Sequence, residues 1–77
     1  MKKVSIYTTP TCTYCKLAKQ FFHEHNVEYE EFDVASNLEK RQEMIEKTQQ
    51  MGVPVIDAGG QIVIGFDEDA LKTALGI

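Results

Sequence analysis

The sequence predicts an α/β protein in which one mixed four-stranded β-sheet is flanked by three helices. Three observations predict this fold class. Short runs of alternating polar and apolar residues indicate strands, longer runs with apolar residues at helical spacing indicate helices, and a glycine-containing loop late in the chain indicates a β-hairpin. A chain of 77 residues has room for one hydrophobic core, so we expect residues 1–77 to form a single domain.

The first half of the chain predicts a β-α-β unit. Residues 4–7 alternate in polarity and are followed by a loop over residues 8–11 that contains a proline. Residues 13 to about 26 form an amphipathic helix, and residues 28–34 form a second strand. Such a unit pairs its two strands in parallel through a right-handed crossover. The side chains expected in the core from this half are Leu17, Ala18, Phe21, Phe22 and Phe32.

The middle of the chain predicts a helix with a weak apolar stripe. Ser36, followed three residues later by Glu39, fits a capping box that begins a helix running to about Gln50. Glu43 and Lys47 are one turn apart on this helix and form a favourable charged pair. The apolar stripe consists of Leu38, Met44 and Ile45.

The last third of the chain predicts a β-hairpin and a helix. Residues 53–57 and 61–64 are strand-like, and residues 58–60 between them have the length and chemistry of a hairpin loop. These two strands should therefore be antiparallel. Asp67 can cap the last helix, and Gly76 ends it. The side chains of this helix expected to face the core are Ala70, Leu71, Ala74 and Leu75.

The composition excludes several classes of partner and compartment. A formal net charge of -4 argues against nucleic acid, because a phosphate backbone requires a basic face. The apolar run near the N-terminus is interrupted before a secretory signal could form, and no segment is long enough to span a membrane. Two cysteines are too few for a disulfide-stapled secreted scaffold, so we expect a cytoplasmic protein.

The segment Cys12-Thr13-Tyr14-Cys15 carries the chemistry that the sequence indicates. Its spacing at the first turn of a helix brings the two sulfurs within bonding reach, so they can cycle between dithiol and disulfide. Cys12 lies at the helix N-terminus, where unpaired N–H groups and the helix dipole stabilise a thiolate, and is therefore the predicted nucleophile. Cys15 lies one turn inside the helix, where it keeps its proton until it attacks Cys12 and releases the reduced substrate.

Two other interpretations of the cysteine pair are weaker. A zinc site needs four ligands, but the chain has no second cysteine pair, and His23 and His25 lie on different faces of a helix, so no metal site is predicted. A purely structural disulfide would close so small a loop that it would stabilise the fold little. Tyr14, between the cysteines, offers an exposed ring that could pack against a substrate. Pro54 opens a strand, which alone is an ordinary position for proline.

Three motifs occur in combination over nearly the whole chain: Cys12-Thr13-Tyr14-Cys15-Lys16 after a strand and a loop, Val53-Pro54, and Ile64-Gly65 before an acidic helix start. Together they resemble the glutaredoxins. The resemblance implies a thioredoxin fold, dithiol chemistry with glutathione as the usual electron donor, and no bound cofactor. It also implies a cis peptide bond before Pro54, with the proline facing the cysteines.

The resemblance further implies a binding site for glutathione. Tyr14, Val53 and Asp69 match positions that hold glutathione in glutaredoxins. They do so through ring contact, backbone pairing and an interaction with the amino group of the peptide, respectively. Asp67 is a nearby alternative to Asp69. The implied partners are glutathione and proteins that carry disulfides, and we expect the protein to act as a monomer.

The chain also departs from the usual glutaredoxin pattern. It has Thr13 where a proline is usual and Thr9 where a basic residue is usual, three residues before the nucleophile. Phe66 replaces a second glycine, and Gly52 replaces a threonine. The Gly52-Val53-Pro54 and Gly65-Phe66-Asp67 segments resemble those of bacterial glutaredoxin-like redoxins, some of which accept electrons from thioredoxin reductase. The electron donor therefore has two candidates.

Two further alternatives stay open at the level of the sequence. A non-catalytic binding module could use the same cysteine pair to report redox state to a partner. Some glutaredoxins bind an iron-sulfur cluster as dimers, and we do not favour this for the present chain. The reaction that the sequence favours is thiol-disulfide exchange, carried out by an enzyme.

Overall fold

The computed structural model describes residues 3–77, so the first two residues of the predicted domain lie outside the described part of the chain. The elements follow in the predicted order: β1 (Val4–Thr8), α1 (Thr13–Glu24), β2 (Glu30–Asp33), α2 (Leu38–Thr48), β3 (Val55–Ala58), β4 (Gln61–Ile64) and α3 (Glu68–Leu75). The strands form one mixed four-stranded sheet in the order β2-β1-β3-β4. β1 pairs with β2 in parallel, whereas β3 is antiparallel to both β1 and β4. The predicted parallel pairing of β1 with β2 and the predicted hairpin are both confirmed.

The turn of the hairpin is shorter than predicted. Ala58 belongs to β3 and lies opposite Gln61, so the turn contains only Gly59 and Gly60. Both glycines have positive φ angles, 62° and 99°. Two-residue hairpin turns of this type need positive φ at both positions, and glycine adopts that conformation without a steric penalty.

Each face of the sheet carries its own hydrophobic cluster. Helices α1 and α3 pack on one face, where the buried residues are Val4, Ile6, Ala18, Phe21, Phe22, Ile56, Ala58, Val63, Leu71 and Ala74. Helix α2 packs on the other face, where the buried residues are Tyr7, Val34, Met44 and Val55. Successive side chains of a strand point to opposite faces, so Ile6 and Tyr7 of β1 belong to different clusters.

Some element ends differ from the prediction by one or two residues. Helix α1 ends at Glu24 and α2 ends at Thr48, because Asn26 and Gln49 have φ angles of 55° and 60°, which a right-handed helix cannot contain. Strand β2 is confined to Glu30–Asp33, inside the predicted range of 28–34. Within residues 3–77, no helix is both long enough and apolar enough to cross a membrane.

Two side chains of the predicted apolar stripes, Leu17 of the first helix and Leu38 of the second, lie outside the core. Leu17 is 40% exposed and Leu38 is 71% exposed. Leu17 lies at the edge of the apolar stripe of α1, and Leu38 is the first residue of α2, so neither is covered by the sheet. Phe32 is half-buried beside Tyr7, whereas Phe21 and Phe22 are buried as predicted.

The predicted capping box of α2 is wrong. The N-cap is Asn37, whose side-chain Oδ1 accepts a hydrogen bond of 3.1 Å from the backbone N–H of Lys40. Ser36 instead donates its hydroxyl to the carbonyl of Asp33, at 3.4 Å. Asparagine and serine cap helices about equally well, so the preceding turn decides which of the two is used. In α3, by contrast, Asp67 is the N-cap as predicted.

Helix α2 is attached to the sheet by one buried side chain and a group of charges. Met44 is its buried residue. The Tyr7 hydroxyl donates to Oε1 of Glu43 at 2.8 Å. The predicted Glu43–Lys47 pair is confirmed at 3.3 Å, and Lys47 also reaches Asp57 on β3 at 2.9 Å. Polar contacts therefore provide much of the connection between α2 and the sheet.

Candidate active site

Cys12 occupies the N-cap of α1, which is the position that the sequence predicts for it. Its backbone is extended, with φ of -83° and ψ of 113°, and its sulfur accepts a hydrogen bond of 3.1 Å from the backbone N–H of Cys15. The sulfur therefore replaces the side-chain oxygen that usually caps a helix. A thiolate at this site is stabilised by that N–H group and by the positive end of the helix dipole. The side chain is half-buried, so a disulfide in solution can reach it.

Cys15 is only 1% exposed. Its pKa is raised from 9.0 to about 12, chiefly by burial and then by a hydrogen bond between its thiol and Cys12. A hydrogen bond from the backbone of Thr9 and the charge of Lys19 act in the opposite direction. Both cysteines are free thiols in the structure. At neutral pH, Cys15 therefore stays protonated while Cys12 is the accessible sulfur.

The ends of three strands meet beside the cysteine loop. Val55 lies opposite both Tyr7 and Ile64, so the next residues in line across the sheet are Thr8, Pro54 and Gly65. The backbone N–H of Gly65 donates to the carbonyl of Pro54 at 2.8 Å. The chain leaves β1 at this end of the sheet to enter the loop that carries Cys12. The register thus brings the proline segment and the start of α3 to the end of the sheet where α1 begins.

The predicted substrate residues lie on these segments. The Val53–Pro54 peptide bond is cis, as the resemblance implies, and Pro54 is buried while Val53 is half-buried. Asp67 uses one carboxylate oxygen to accept a hydrogen bond of 3.1 Å from the backbone N–H of Ala70. Asp69 is exposed in the first turn of α3. Asp67 thus supports the helix start, and Asp69 presents its carboxylate to solvent.

Tyr14 presents an exposed ring close to Cys12. Its side chain is 62% exposed, as the sequence predicts. Leu17 lies one turn later on the same side of α1, and sequence analysis assigned it to the core instead. The two side chains offer apolar surface beside the reactive sulfur. The amphipathic pattern could not have identified Leu17, because it does not show where the sheet stops covering the helix.

Sequence analysis also missed an ion pair near Cys15. The ammonium of Lys19 lies 2.9 Å from Oε2 of Glu31, and the same oxygen accepts the hydroxyl proton of Thr8 at 2.9 Å. The only signal in the sequence is that Lys19 follows Cys15 by four residues, which places the two on one face of a helix. Glu31 is distant in sequence and is brought in by the parallel pairing of β1 with β2.

A bound metal ion needs several ligand side chains that lie close enough together to hold it. Within residues 3–77, no three histidine, cysteine, aspartate or glutamate side chains are grouped closely enough to do so. His23 and His25 are both exposed.

Comparison with known proteins identifies relatives of this chain. The family model of the glutaredoxins matches residues 4–63. A glutaredoxin-like 8.6 kDa protein from a rubredoxin operon of Clostridium pasteurianum is 38% identical over 65 residues, which cover 84% of this chain and 87% of the relative. Glutaredoxin 3 of Escherichia coli (strain K12) is 37% identical over 68 residues, covering 88% and 82%. The glutaredoxin-like protein NrdH of Lactococcus lactis is 30% identical over 66 residues, covering 82% and 86%.

A crystal structure of the thioredoxin-like protein BC3987, determined as its T8A mutant, superposes with a TM-score of 0.92. It is 34% identical in sequence, and the match covers 100% of this chain and 99% of the other. The predicted thioredoxin fold is therefore confirmed. The family match, the relatives, the fold and the cysteine motif agree, so this chain belongs to the glutaredoxin family of thiol-disulfide oxidoreductases.

Proposed function

We propose that the protein reduces protein disulfides and glutathione mixed disulfides through Cys12 as nucleophile and Cys15 as resolving thiol. One observation carries this assignment. The Cys12 sulfur is accessible and accepts a backbone N–H at a helix start, whereas Cys15 is buried with its pKa raised to about 12. The thiolate is the attacking form of a cysteine, so the first attack falls to Cys12.

The reaction then has two exchange steps. The Cys12 thiolate attacks one sulfur of the substrate disulfide, and the other sulfur leaves as a thiolate. Cys15 next loses its proton and attacks Cys12, which forms the internal disulfide and releases the second substrate sulfur. Two electrons pass from the dithiol to the substrate, and the internal disulfide must be reduced again by an external donor.

We further propose glutathione as that donor, bound along the end of the sheet beside Cys12. The backbone of Val53, which precedes β3 and adjoins buried Pro54, is the segment that would pair with the peptide, as the family resemblance implies. The exposed carboxylate of Asp69 can meet the amino group of glutathione, with Asp67 close by. The exposed ring of Tyr14 would contact the bound glutathione on the side nearest to Cys12. The family membership supports the same ligand, and no resident cofactor is needed for thiol exchange.

Thioredoxin reductase is the second candidate donor. Thr9 supplies no positive charge for a glutathione carboxylate, and Gly52 and Phe66 are the residues that resemble glutaredoxin-like redoxins. Phe66 packs against the first hydrophobic cluster, with its ring 6.2 Å from that of Phe21. One of the relatives, from Lactococcus lactis, is likewise named a glutaredoxin-like protein. For either donor, we propose that the protein works as a monomer in the cytoplasm.

A comparison of electron donors tests the proposal. NADPH oxidation is followed with a small disulfide substrate, once with glutathione and glutathione reductase and once with thioredoxin reductase alone. The Cys12→Ser variant is the control in both assays. Turnover with glutathione only supports the first donor, and turnover with thioredoxin reductase only replaces it with the second. If the wild-type protein turns over with neither, it acts as a redox-sensing module instead.

A further inference from the structure

We propose that Lys19, held in place by Glu31, is a positioning residue for the resolving step. The sulfur of Cys15 must become negatively charged in that step, and Lys19 keeps a positive charge beside it. The inference rests on the proposed function, since it takes Cys15 as the resolving thiol. It adds a role for two residues that touch neither substrate nor the Cys12–substrate bond.

The geometry places Lys19 on the same face of α1 as Cys15. Residues four apart on a helix are neighbours, with about 5–6 Å between their Cβ atoms. The Lys19 ammonium lies 2.9 Å from Oε2 of Glu31, and its side chain is two-thirds buried. The same carboxylate oxygen accepts the hydroxyl of Thr8, which is itself buried at the end of β1. Glu31 is thus fixed from the sheet, and it in turn restricts a lysine side chain that would otherwise sample many rotamers.

The charges around Cys15 support this role. Its pKa is raised first by burial and then by Cys12, and it is lowered by a backbone hydrogen bond from Thr9 and by the charge of Lys19, which is the smallest of these effects. The ion pair with Glu31 raises the pKa of Lys19, and Tyr29 and Cys15 add smaller effects in the same direction. The hydrogen bond with Lys19 lowers the pKa of Glu31, with a further contribution from Thr8, against opposing effects of burial and, more weakly, of Asp33. Lys19 therefore remains an ammonium throughout the cycle, and it offsets part of the cost of ionising a buried thiol.

The step that Lys19 assists is the release of the second substrate sulfur. The Cys15 thiol gives up its proton, and its thiolate attacks the Cys12 sulfur. The bond between Cys12 and the substrate sulfur breaks, and its electron pair leaves with the substrate sulfur, which takes up a proton from water. Cys12 is uncharged in the mixed disulfide, so its two contributions to the raised pKa of Cys15 are absent at this stage. Lys19 remains as a charge that favours the thiolate.

The chain provides a matched control for this ion pair. Lys3 and Glu30 form a second lysine-glutamate pair at 3.2 Å, also between β2 and a preceding segment of the chain. Glu30 lies opposite Ser5, three pairs before the end of β1 that leads to the cysteine loop. Lys3→Gln therefore removes a lysine charge from a more exposed ion pair at the other end of β1 from the cysteine loop. Lys19→Gln removes the proposed charge, and Lys19→Arg retains it.

The test follows two phases of one reaction. The reduced protein is mixed with an equimolar aromatic disulfide whose thiolate absorbs visible light. Attack by Cys12 releases the first thiolate, and attack by Cys15 on the resulting mixed disulfide releases the second. Lys19→Gln should slow the second phase by about twofold to fivefold at neutral pH, the factor expected for one partly exposed charge. The rate of the first phase in Lys19→Gln should equal that of the wild type. Lys19→Arg and Lys3→Gln should resemble the wild type in both phases.

The pH profile separates an electrostatic role from a structural one. Because the lost charge only changes how readily Cys15 ionises, the difference between Lys19→Gln and the wild type should shrink as the pH is raised. Slowing of both phases, or the same slowing at every pH, would overturn the inference. Equal second-phase rates for the wild type and Lys19→Gln would also overturn the inference, but they would leave the dithiol mechanism intact. A wild-type protein with no second phase would instead refute the proposed function.

Discussion

The burial of Cys15 leads to a quantitative prediction about its reactivity. In the Cys12→Ser variant, Cys15 is the only cysteine, so alkylation by iodoacetamide reports on this thiol alone. In the wild-type structure its pKa is raised from 9.0 to about 12. Three pKa units reduce the thiolate fraction at neutral pH by about a thousandfold. Loss of Cys12 removes two of the smaller contributions, while burial, the largest, remains.

We therefore expect Cys15 in folded Cys12→Ser to alkylate between about tenfold and about a thousandfold more slowly than in the unfolded chain. The assay measures the alkylation rate by mass spectrometry in buffer and in concentrated urea, over a range of pH. In buffer, the rate should still rise at pH values where the urea sample has reached its plateau. Equal rates in buffer and urea at neutral pH would refute the argument that burial keeps Cys15 protonated.

Three further substitutions test the α2 attachment and the donor site. The pKa of Glu43 is lowered from 4.5 to about 2, chiefly by the Tyr7 hydrogen bond, so its stabilising effect should be present above about pH 4.5 and disappear as the pH falls toward 2. Because the Glu43 side chain is 37% exposed, Glu43→Gln should lower the free energy of unfolding in urea by only about 0.5–1 kcal/mol at neutral pH, and by close to nothing at the acid limit. The control variant Glu30→Gln should lower it by less at neutral pH. Met44→Ala should lower the free energy of unfolding by about 2–4 kcal/mol, whereas Met51→Ala, at an exposed position, should change it by less than about 0.5 kcal/mol; equal effects would contradict the buried role of Met44. Thr9→Lys should lower the half-saturation concentration for glutathione by a factor of about 1.4–5 at low salt and by less at high salt, and no change would favour thioredoxin reductase as the donor.

The local sequence was sufficient for the order and type of the elements. Strand and helix periods are properties of neighbouring residues, and so are the caps at Asp67 and Gly76 and the presence of a glycine-containing hairpin loop, although the loop is one residue shorter than predicted. The placement of Cys12 at a helix start follows from the same local signals, since the proline-containing loop ends where the apolar helical period begins. These features could be predicted because each depends on residues within one or two turns of chain.

Features that depend on what packs against an element could not be predicted in this way. Leu17 and Leu38 fit helical stripes, but no element packs over either of them, and both are exposed. Ser36 and Asn37 are equally good caps, and the turn that follows β2 decided between them.

The sequence by itself determined that two thiols are separated by one turn at the start of a helix, and therefore which reaction the protein can perform. The difference between the two thiols was decided by tertiary structure. Desolvation depends on the whole set of elements packed around Cys15, and no local pattern specifies it. The Lys19–Glu31 pair likewise exists because β2 lies parallel to β1. This pairing places the carboxylate of Glu31, 12 residues farther along the chain than Lys19, against the helix that carries both cysteines.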